Sequence, residues 1–104
     1  MSAPISIVIP TLDSARTLPA TLLSLMEGLD EGLICEVVVS DGGSKDATQS
    51  IAEAWGAEVV EGPSSRGGQL RRGVALSRGV WVLILHSDTV LQAGWALEVQ
   101  QWMD

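Results

Sequence analysis

Apolar and polar positions along the chain follow two alternating periods. Ile5-Ser6-Ile7-Val8-Ile9 is a β-branched run stopped by Pro10, the pattern of a first strand. From Ala15 the spacing turns helical, with Leu18, Leu22, Leu25, Met26 and Leu29 at i, i+4, i+7, i+8 and i+11. Pro19 is tolerated only in a first turn, so this helix is expected to begin near Ala15 and to end before Gly32. Glu36-Val37-Val38-Val39-Ser40 reads as a second strand. Asp41-Gly42-Gly43-Ser44 then turns into a second helix with Ala47, Ile51, Ala54 and Trp55 on one face and Gly56 at its C-cap. Glu58-Val59-Val60-Glu61 is a short third strand, expected near an edge. Gly62 to Gly68 is a flexible loop, and a third helix runs from about Gln69 to Ser77. The unbroken apolar run Val80 to Leu85 reads as a fully buried strand, and a last helix carries Trp95, Val99, Trp102 and Met103 on one side.

This βαβαβαβα order predicts an α/β fold: an open, mostly parallel sheet of about four βα units, with helices on both faces. In such a sheet ligands bind outside the carboxyl ends of the strands. The loops that gather there carry Thr11-Leu12-Asp13, Asp41-Gly42-Gly43-Ser44 and His86-Ser87-Asp88. Asp and Ser at such positions also cap helices. Capping accounts for one or two of these residues but not for a carboxylate in every loop, so a site is expected.

Length and composition narrow the choice. At 104 residues the chain makes one domain, residues 1–104, and its 46% apolar content is that of a folded protein. Six Lys and Arg against 13 Asp and Glu give a net charge of −7, which argues against nucleic acid as the main partner. Cys35 is the only cysteine, so no intrachain disulfide forms, and a buried structural thiol is expected there. Met1-Ser2-Ala3-Pro4 carries no basic region, and no apolar run approaches membrane-spanning length. A cytoplasmic domain is expected, with peripheral membrane contact left open.

Several chemistries are excluded by pattern. The loop Pro10-Thr11-Leu12-Asp13 lacks the glycines of a dinucleotide fingerprint, and neither a P-loop nor a Gly-x-Ser-x-Gly elbow occurs. What remains is a nucleotide bound by carboxylates, with its phosphates held through a metal. Asp41 can accept from a base N–H, as uracil or guanine offers, and Gly42 and Gly43 allow close approach of a flat ring. His86 and Asp88, two apart at a strand exit, suit a divalent cation. A carboxylate about 4 Å from a phosphate charge costs about 4 kcal/mol at an effective dielectric near 20, and a bound Mg²⁺ or Mn²⁺ reverses that sign.

These residues carry a resemblance. Ile7-Val8-Ile9-Pro10-Thr11, Val39-Ser40-Asp41-Gly42-Gly43-Ser44-Lys45-Asp46-Ala47-Thr48, Gly73 to Gly79 and Leu85-His86-Ser87-Asp88-Thr89 resemble, in order and spacing, the N-terminal, nucleotide-binding half of family 2 glycosyltransferases of the GT-A fold. The resemblance implies a donor site in which Pro10 and Thr11 shape the first nucleotide loop, Asp13 lies near the base or ribose and Asp41 meets the uracil ring. Ser44 and Asp46 would support that loop, and Gly42 and Gly43 complete its donor-binding set. Arg66 and Arg71 would approach the diphosphate, Asp88 would ligate Mn²⁺ or Mg²⁺, His86 would touch either the metal or only the ribose, and Ser87 belongs to the same donor-binding set. The chain departs from the family pattern at His86, where the first Asp of Asp-x-Asp is usual. It departs again at Arg71, where Asn is usual, and at Val80, where an acid is common.

The resemblance further implies an inverting, metal-dependent transfer of a sugar from a nucleotide-diphosphate donor, UDP-sugar above all. In the family the acceptor site and the catalytic base, a carboxylate, follow the metal motif, so the base is expected beyond Asp104 and the acceptor half is absent from these residues. A homo-oligomer or completion by another chain is expected to cover the truncated sheet. The alternative is a non-catalytic nucleotide-sugar-binding or assembly module. Trp81 and Trp95 are expected in the core rather than stacked on a sugar, and Arg72 and Arg78 on a solvated helix face.

Overall fold

Strand β1 (Ile5–Thr11) runs past Pro10, two residues further than its apolar run suggests. The reason lies in the ladder. Successive residues of a parallel strand address alternate neighbours, and Val8 faces β4 (Trp81–Ile84), as Leu85 N–H donating to Val8 O at 3.0 Å shows. Pro10 has the same parity, and β1–β4 pairing ends at Val8, so no ladder bond is lost at the proline. On its other side β1 pairs through Thr11 with β2 (Ile34–Asp41), which pairs in turn with β3 (Glu58–Glu61). The computed structural model describes residues 3–103. All four strands are parallel, in the order β3-β2-β1-β4.

The two faces of the sheet are covered differently. Ile5, Ile7 and Ile9 of β1 and Val37 and Val39 of β2 face the main core. They meet Leu18 and Leu22 of α1 (Leu18–Leu23), Leu25, Ala52 of α3 (Thr48–Trp55) and Trp95 and Ala96 of α5 (Trp95–Met103). Val8 and Val38, fully buried, point to the opposite face, where α4 (Arg66–Leu76) lies across β1 and β2. Gly73 makes that approach possible, since a Cβ there would overlap the Val8 side chain.

The first predicted helix is two. A turn at Ser14–Thr17 delays α1 to Leu18, and the chain breaks at Ser24–Leu25 before α2 (Met26–Asp30). The break rotates α2 so that Gly28, not Met26 or Leu29, meets Trp95 and Ile34. In α3 the inward face is Thr48, Ile51, Ala52 and Trp55, while Ala47 and Ala54 are exposed. Gly56, at φ 106°, caps that helix as expected. The loop expected to reach Gly68 ends at Ser65, the N-cap of α4, whose Oγ accepts from Gly68 N–H.

Other expectations are corrected. Val80–Leu85 is not a fully buried strand: β4 is the second edge of the described sheet, with Trp81, Val82 and Ile84 exposed because β1 is its only neighbour. Cys35 is half-buried, with Sγ 3.5 Å from Ser6 Oγ. Trp95 is buried and donates Nε1–H to Ser24 O at 2.8 Å, but Trp102 is 75% exposed and meets Trp81 edge-on at 5.5 Å. Arg78 is solvated as expected, its side chain 72% exposed, but it lies past the end of α4. Its backbone N–H and Nε–H both donate to buried Glu36, at 2.5 and 3.2 Å, fastening the start of β4 beneath the amino ends of β1 and β2. Burial opposes ionisation of Glu36, but the Ser6 hydroxyl and the Arg78 N–H and charge outweigh it, and its pKa lies below the ordinary value. Arg72 is half-buried and donates to Pro63 O at 2.9 Å.

Candidate donor site at the carboxyl edge of the sheet

At the carboxyl ends of β1 and β2 the chain knits two loops around one carboxylate. Asp41, fully buried, accepts from Thr11 Oγ1 and Ser44 Oγ at 2.6 Å on Oδ1. Its Oδ2 accepts from Gly43 N–H at 3.0 Å, Ser44 N–H at 2.7 Å and Gln49 Nε2 at 2.9 Å. Burial alone raises the Asp41 pKa, but the donors from Gln49, Ser44 and Thr11 prevail and hold it at about 2. The second loop uses Gly43 at φ 95°, a left-handed position that suits glycine.

The first loop is held to the second by its backbone. Asp13, itself at φ 49°, donates its N–H to Ser44 Oγ at 2.7 Å and accepts from Lys45 N–H at 2.8 Å. Ser14 N–H donates to Thr48 Oγ1 at 2.8 Å, and Ala15 N–H to Asp46 Oδ2 at 3.1 Å. Asp46 also accepts from the Thr48 hydroxyl and N–H, and these bonds lower its pKa. Asp46 thus plays the supporting part expected of it.

The exit of β4 completes the edge. Residues His86–Thr89 form a turn closed by Thr89 N–H to His86 O at 3.1 Å. Ser14 Oγ donates to Ser87 Oγ at 2.9 Å, and Thr21 Oγ1 to Ser87 O at 2.9 Å, which anchor that turn to the first loop and to α1. A crevice of about 520 Å³ opens between these segments and the start of α4. Among its lining residues are Pro10, Thr11, Asp13, Arg66, His86, Ser87 and Asp88. The Arg66 guanidinium lies across the His86 ring, with Nη2 at 3.0 Å from Nδ1 and 3.3 Å from Nε2.

Asp88 and His86 respond differently to the test of holding a cation. Among the described residues no three His, Cys, Asp or Glu side chains converge, so the chain offers no closed cage. Mg²⁺ and Mn²⁺ at phosphate sites do not need one: one or two carboxylates, substrate oxygens and water complete the shell. Exposed on the crevice wall, Asp88 fits that donor set. His86 is crowded by Arg66, whose Nη2 lies within 3.3 Å of both ring nitrogens where a cation would have to approach.

Seven of the twelve residues expected at a donor site therefore share one crevice. Asp41, Gly42, Gly43 and Ser44 lie outside its lining. The Asp41 carboxylate is fully buried and both its oxygens are engaged by five donors, so it shapes the loop. Arg71 is exposed further along α4 and does not line the crevice. Sequence reasoning missed Ser14, which joins the first loop to the β4 exit, and Gln69, which forms part of the floor. The signal for Gln69 was Gly73: four residues apart on a helix, they share a face, and a glycine needed for close packing marks that face as inward.

Known proteins agree with this architecture. Residues 6–104 match glycosyl transferase family 2. The chain is 36% identical over 95 residues to glucosyl-3-phosphoglycerate synthase of Mycolicibacterium paratuberculosis, covering 83% of this chain and 29% of that protein. It is 36% identical over 99 residues to a PGL/p-HBAD biosynthesis glycosyltransferase of Mycobacterium bovis, covering 88% of this chain and 38% of that one. The chain thus spans about a third of the length of these relatives. Among solved structures, glucosyl-3-phosphoglycerate synthase from Mycobacterium tuberculosis in complex with Mn²⁺, UDP-glucose and phosphoglyceric acid superposes with a TM-score of 0.72 at 33% identity. That match covers 82% of this chain and 33% of the other.

Proposed function

This chain belongs to glycosyl transferase family 2, and we propose that residues 1–104 form the donor-binding domain of an inverting, metal-dependent glycosyltransferase that uses a UDP-sugar. The observation that carries the proposal is the meeting of Asp13, Arg66, His86 and Asp88 around one crevice at the carboxyl edge of the sheet. The mycobacterial relative solved with Mn²⁺ and UDP-glucose, sharing this fold at 33% identity, supports the choice of ligand. Asp88 would hold Mn²⁺ or Mg²⁺, with His86 released to it only if Arg66 withdraws. When bound, the cation neutralises charge on the diphosphate. Pro10, Thr11 and Asp13 would lie along the nucleoside, and Ser87 would keep Asp88 in place. Gly42, Gly43 and Ser44 would act beneath the site through Asp41, and Arg71 at its margin.

In the reaction the acceptor hydroxyl oxygen bonds to the anomeric carbon as the bond from that carbon to the diphosphate oxygen breaks, with inversion. The acceptor proton passes to a carboxylate base, which we place, with the acceptor site, in the two-thirds of the relatives' length that this chain does not span. Arg66 donates to the departing diphosphate and stabilises its growing charge. The nucleotide-sugar donor is thus the primary partner. Trp81, Val82, Ile84 and Trp102, exposed along the β4 edge, support pairing with a second copy or a completing polypeptide. Among the described residues no helix is long and apolar enough to cross a membrane. A cytoplasmic location belongs to the proposal, supported by the unpaired Cys35.

Calorimetric titration with UDP, with and without Mn²⁺, tests the reading. Mn²⁺-dependent binding that weakens at least tenfold in Asp88→Ala is expected. A folded chain that does not bind UDP in the presence of Mn²⁺ overturns it.

A further inference from the structure

The buried Gln69 side chain touches the ends of β1 and β2 and the start of α4 together. It is 6% exposed. Its Nε2 donates to Thr11 O at 2.8 Å and to Ser40 O at 3.1 Å, and its Oε1 accepts from Ser65 N–H at 3.2 Å. Two carbonyls and one N–H around the amide fix which end is nitrogen. Thr11 O also accepts from Gly42 N–H at 2.9 Å, so the amide adds a second donor at the last rung of the parallel ladder. Gly42 leaves room for it: a Cβ at residue 42 would stand 3.0 Å from Gln69 Oε1 and 3.1 Å from Ser64 Cα. Ser65 in turn caps α4, and Arg66, the next residue, reaches across the crevice to His86.

We propose that Gln69 is a positioning residue for the donor diphosphate: it sets the height of the α4 N-terminus above the strand ends and thereby aims Arg66 at the phosphates. The proposal rests on the reading of the crevice as a UDP-sugar site. Gln69 itself need not touch the ligand. Loss of its amide frees Ser65 N–H and removes one donor from each strand-end carbonyl, and the first turn of α4 lifts away from the crevice. Burial of the amide also explains why a polar residue stands on the face of α4 that carries Gly73.

The test uses the full chain with Gln69→Leu, Arg66→Ala and the double variant, each checked for fold by circular dichroism. Gly42→Ala, which presses on the Gln69 amide without removing it, serves if Gln69→Leu does not fold. Hydrogen exchange without ligand is read first. Exchange across Ser65–Gln69 should quicken tenfold or more in Gln69→Leu, or in Gly42→Ala, while β2 stays protected. Titration with UDP and Mn²⁺ follows. Gln69→Leu should weaken binding about tenfold when Arg66 is present and less than twofold in the Arg66→Ala background, since the effect passes through Arg66. Unchanged exchange at Ser65–Gln69 overturns the proposal whether or not UDP binds. Equal losses in both backgrounds also overturn it, because Gln69 would then act on the crevice as a whole. Absence of UDP binding by the wild-type chain, with quickened exchange in the variant, strikes the donor reading and with it the diphosphate role of Gln69, leaving only the anchoring of α4.

Discussion

Replacing Asp41 by Asn should destabilise the chain by about 2–3 kcal/mol, although it changes one atom. The carboxylate is fully buried and receives five hydrogen bonds from Thr11, Gly43, Ser44 and Gln49. An Asn amide cannot place its NH₂ at Oδ2, where Gly43 N–H, Ser44 N–H and Gln49 Nε2 all donate. It must place it at Oδ1, where the Thr11 and Ser44 hydroxyls can turn to accept. Shape survives, but the charge that strengthens all five bonds is lost. Its worth follows from linkage. The Asp41 pKa falls from an ordinary 3.8 to about 2, and at about 1.4 kcal/mol per unit this amounts to about 2–3 kcal/mol. Because the folded pKa is depressed, that stability is fully present above pH 3.8 and is lost as pH falls through about 2.

The assay is thermal and urea unfolding of both proteins from pH 7 to pH 2. For a domain of this size the expected loss lowers Tm by roughly 10–20 °C at pH 7. The gap between wild type and Asp41→Asn should close as pH drops below 3.8, because the wild type then protonates the same group. Asp41→Ala, which leaves five donors without an acceptor, should cost more. A pH 7 difference under about 0.5 kcal/mol, or one that persists unchanged at pH 2, would refute the description of Asp41 as the anchor of both loops.

Two further outcomes are expected. Glu36→Gln should lower stability by about 1–3 kcal/mol at pH 7, because Ser6 and Arg78 lose a charged acceptor, and the deficit should shrink below pH 4.5 as wild-type Glu36 protonates; urea titrations at both pH values check it. The β4 edge carries no charge, proline or bulge between Val80 and Leu85, so the chain should self-associate with rising concentration, and Val82→Lys should hold it monomeric in sedimentation at the same concentration.

Periodicity disclosed the four strands and their parallel order because β-branched runs bounded by Gly and Pro are local signals. It failed where tertiary context decides. Pro10 stays in β1 only because the neighbouring strand has already ended, a fact that lies about 75 residues away in sequence. The break at Ser24–Leu25 is set by the packing of Gly28 on Trp95. Val80–Leu85 has the composition of an interior strand, yet in the described sheet it forms an edge. At the site, the loops bearing Asp13, Asp41 and Asp88 were legible from their positions after strands. Which carboxylate faces the crevice was not, since burial separates Asp41, engaged by five donors, from exposed Asp13 and Asp88. Gln69 escaped notice because a polar residue on a short helix looks solvated until the glycine packed on the sheet fixes which face is inward.

The central assignment, that UDP and a divalent cation sit together beside Asp88, is tested most directly by Mn²⁺-induced line broadening in the amide spectrum of the UDP-saturated chain, since broadening by Mn²⁺ falls steeply with distance. Loss of the signals of Ser87, Asp88, Asp13 and Arg66, with those of Arg78 and Cys35 at the opposite end of the sheet retained, is expected. Broadening centred elsewhere, or none at UDP saturation, would contradict it.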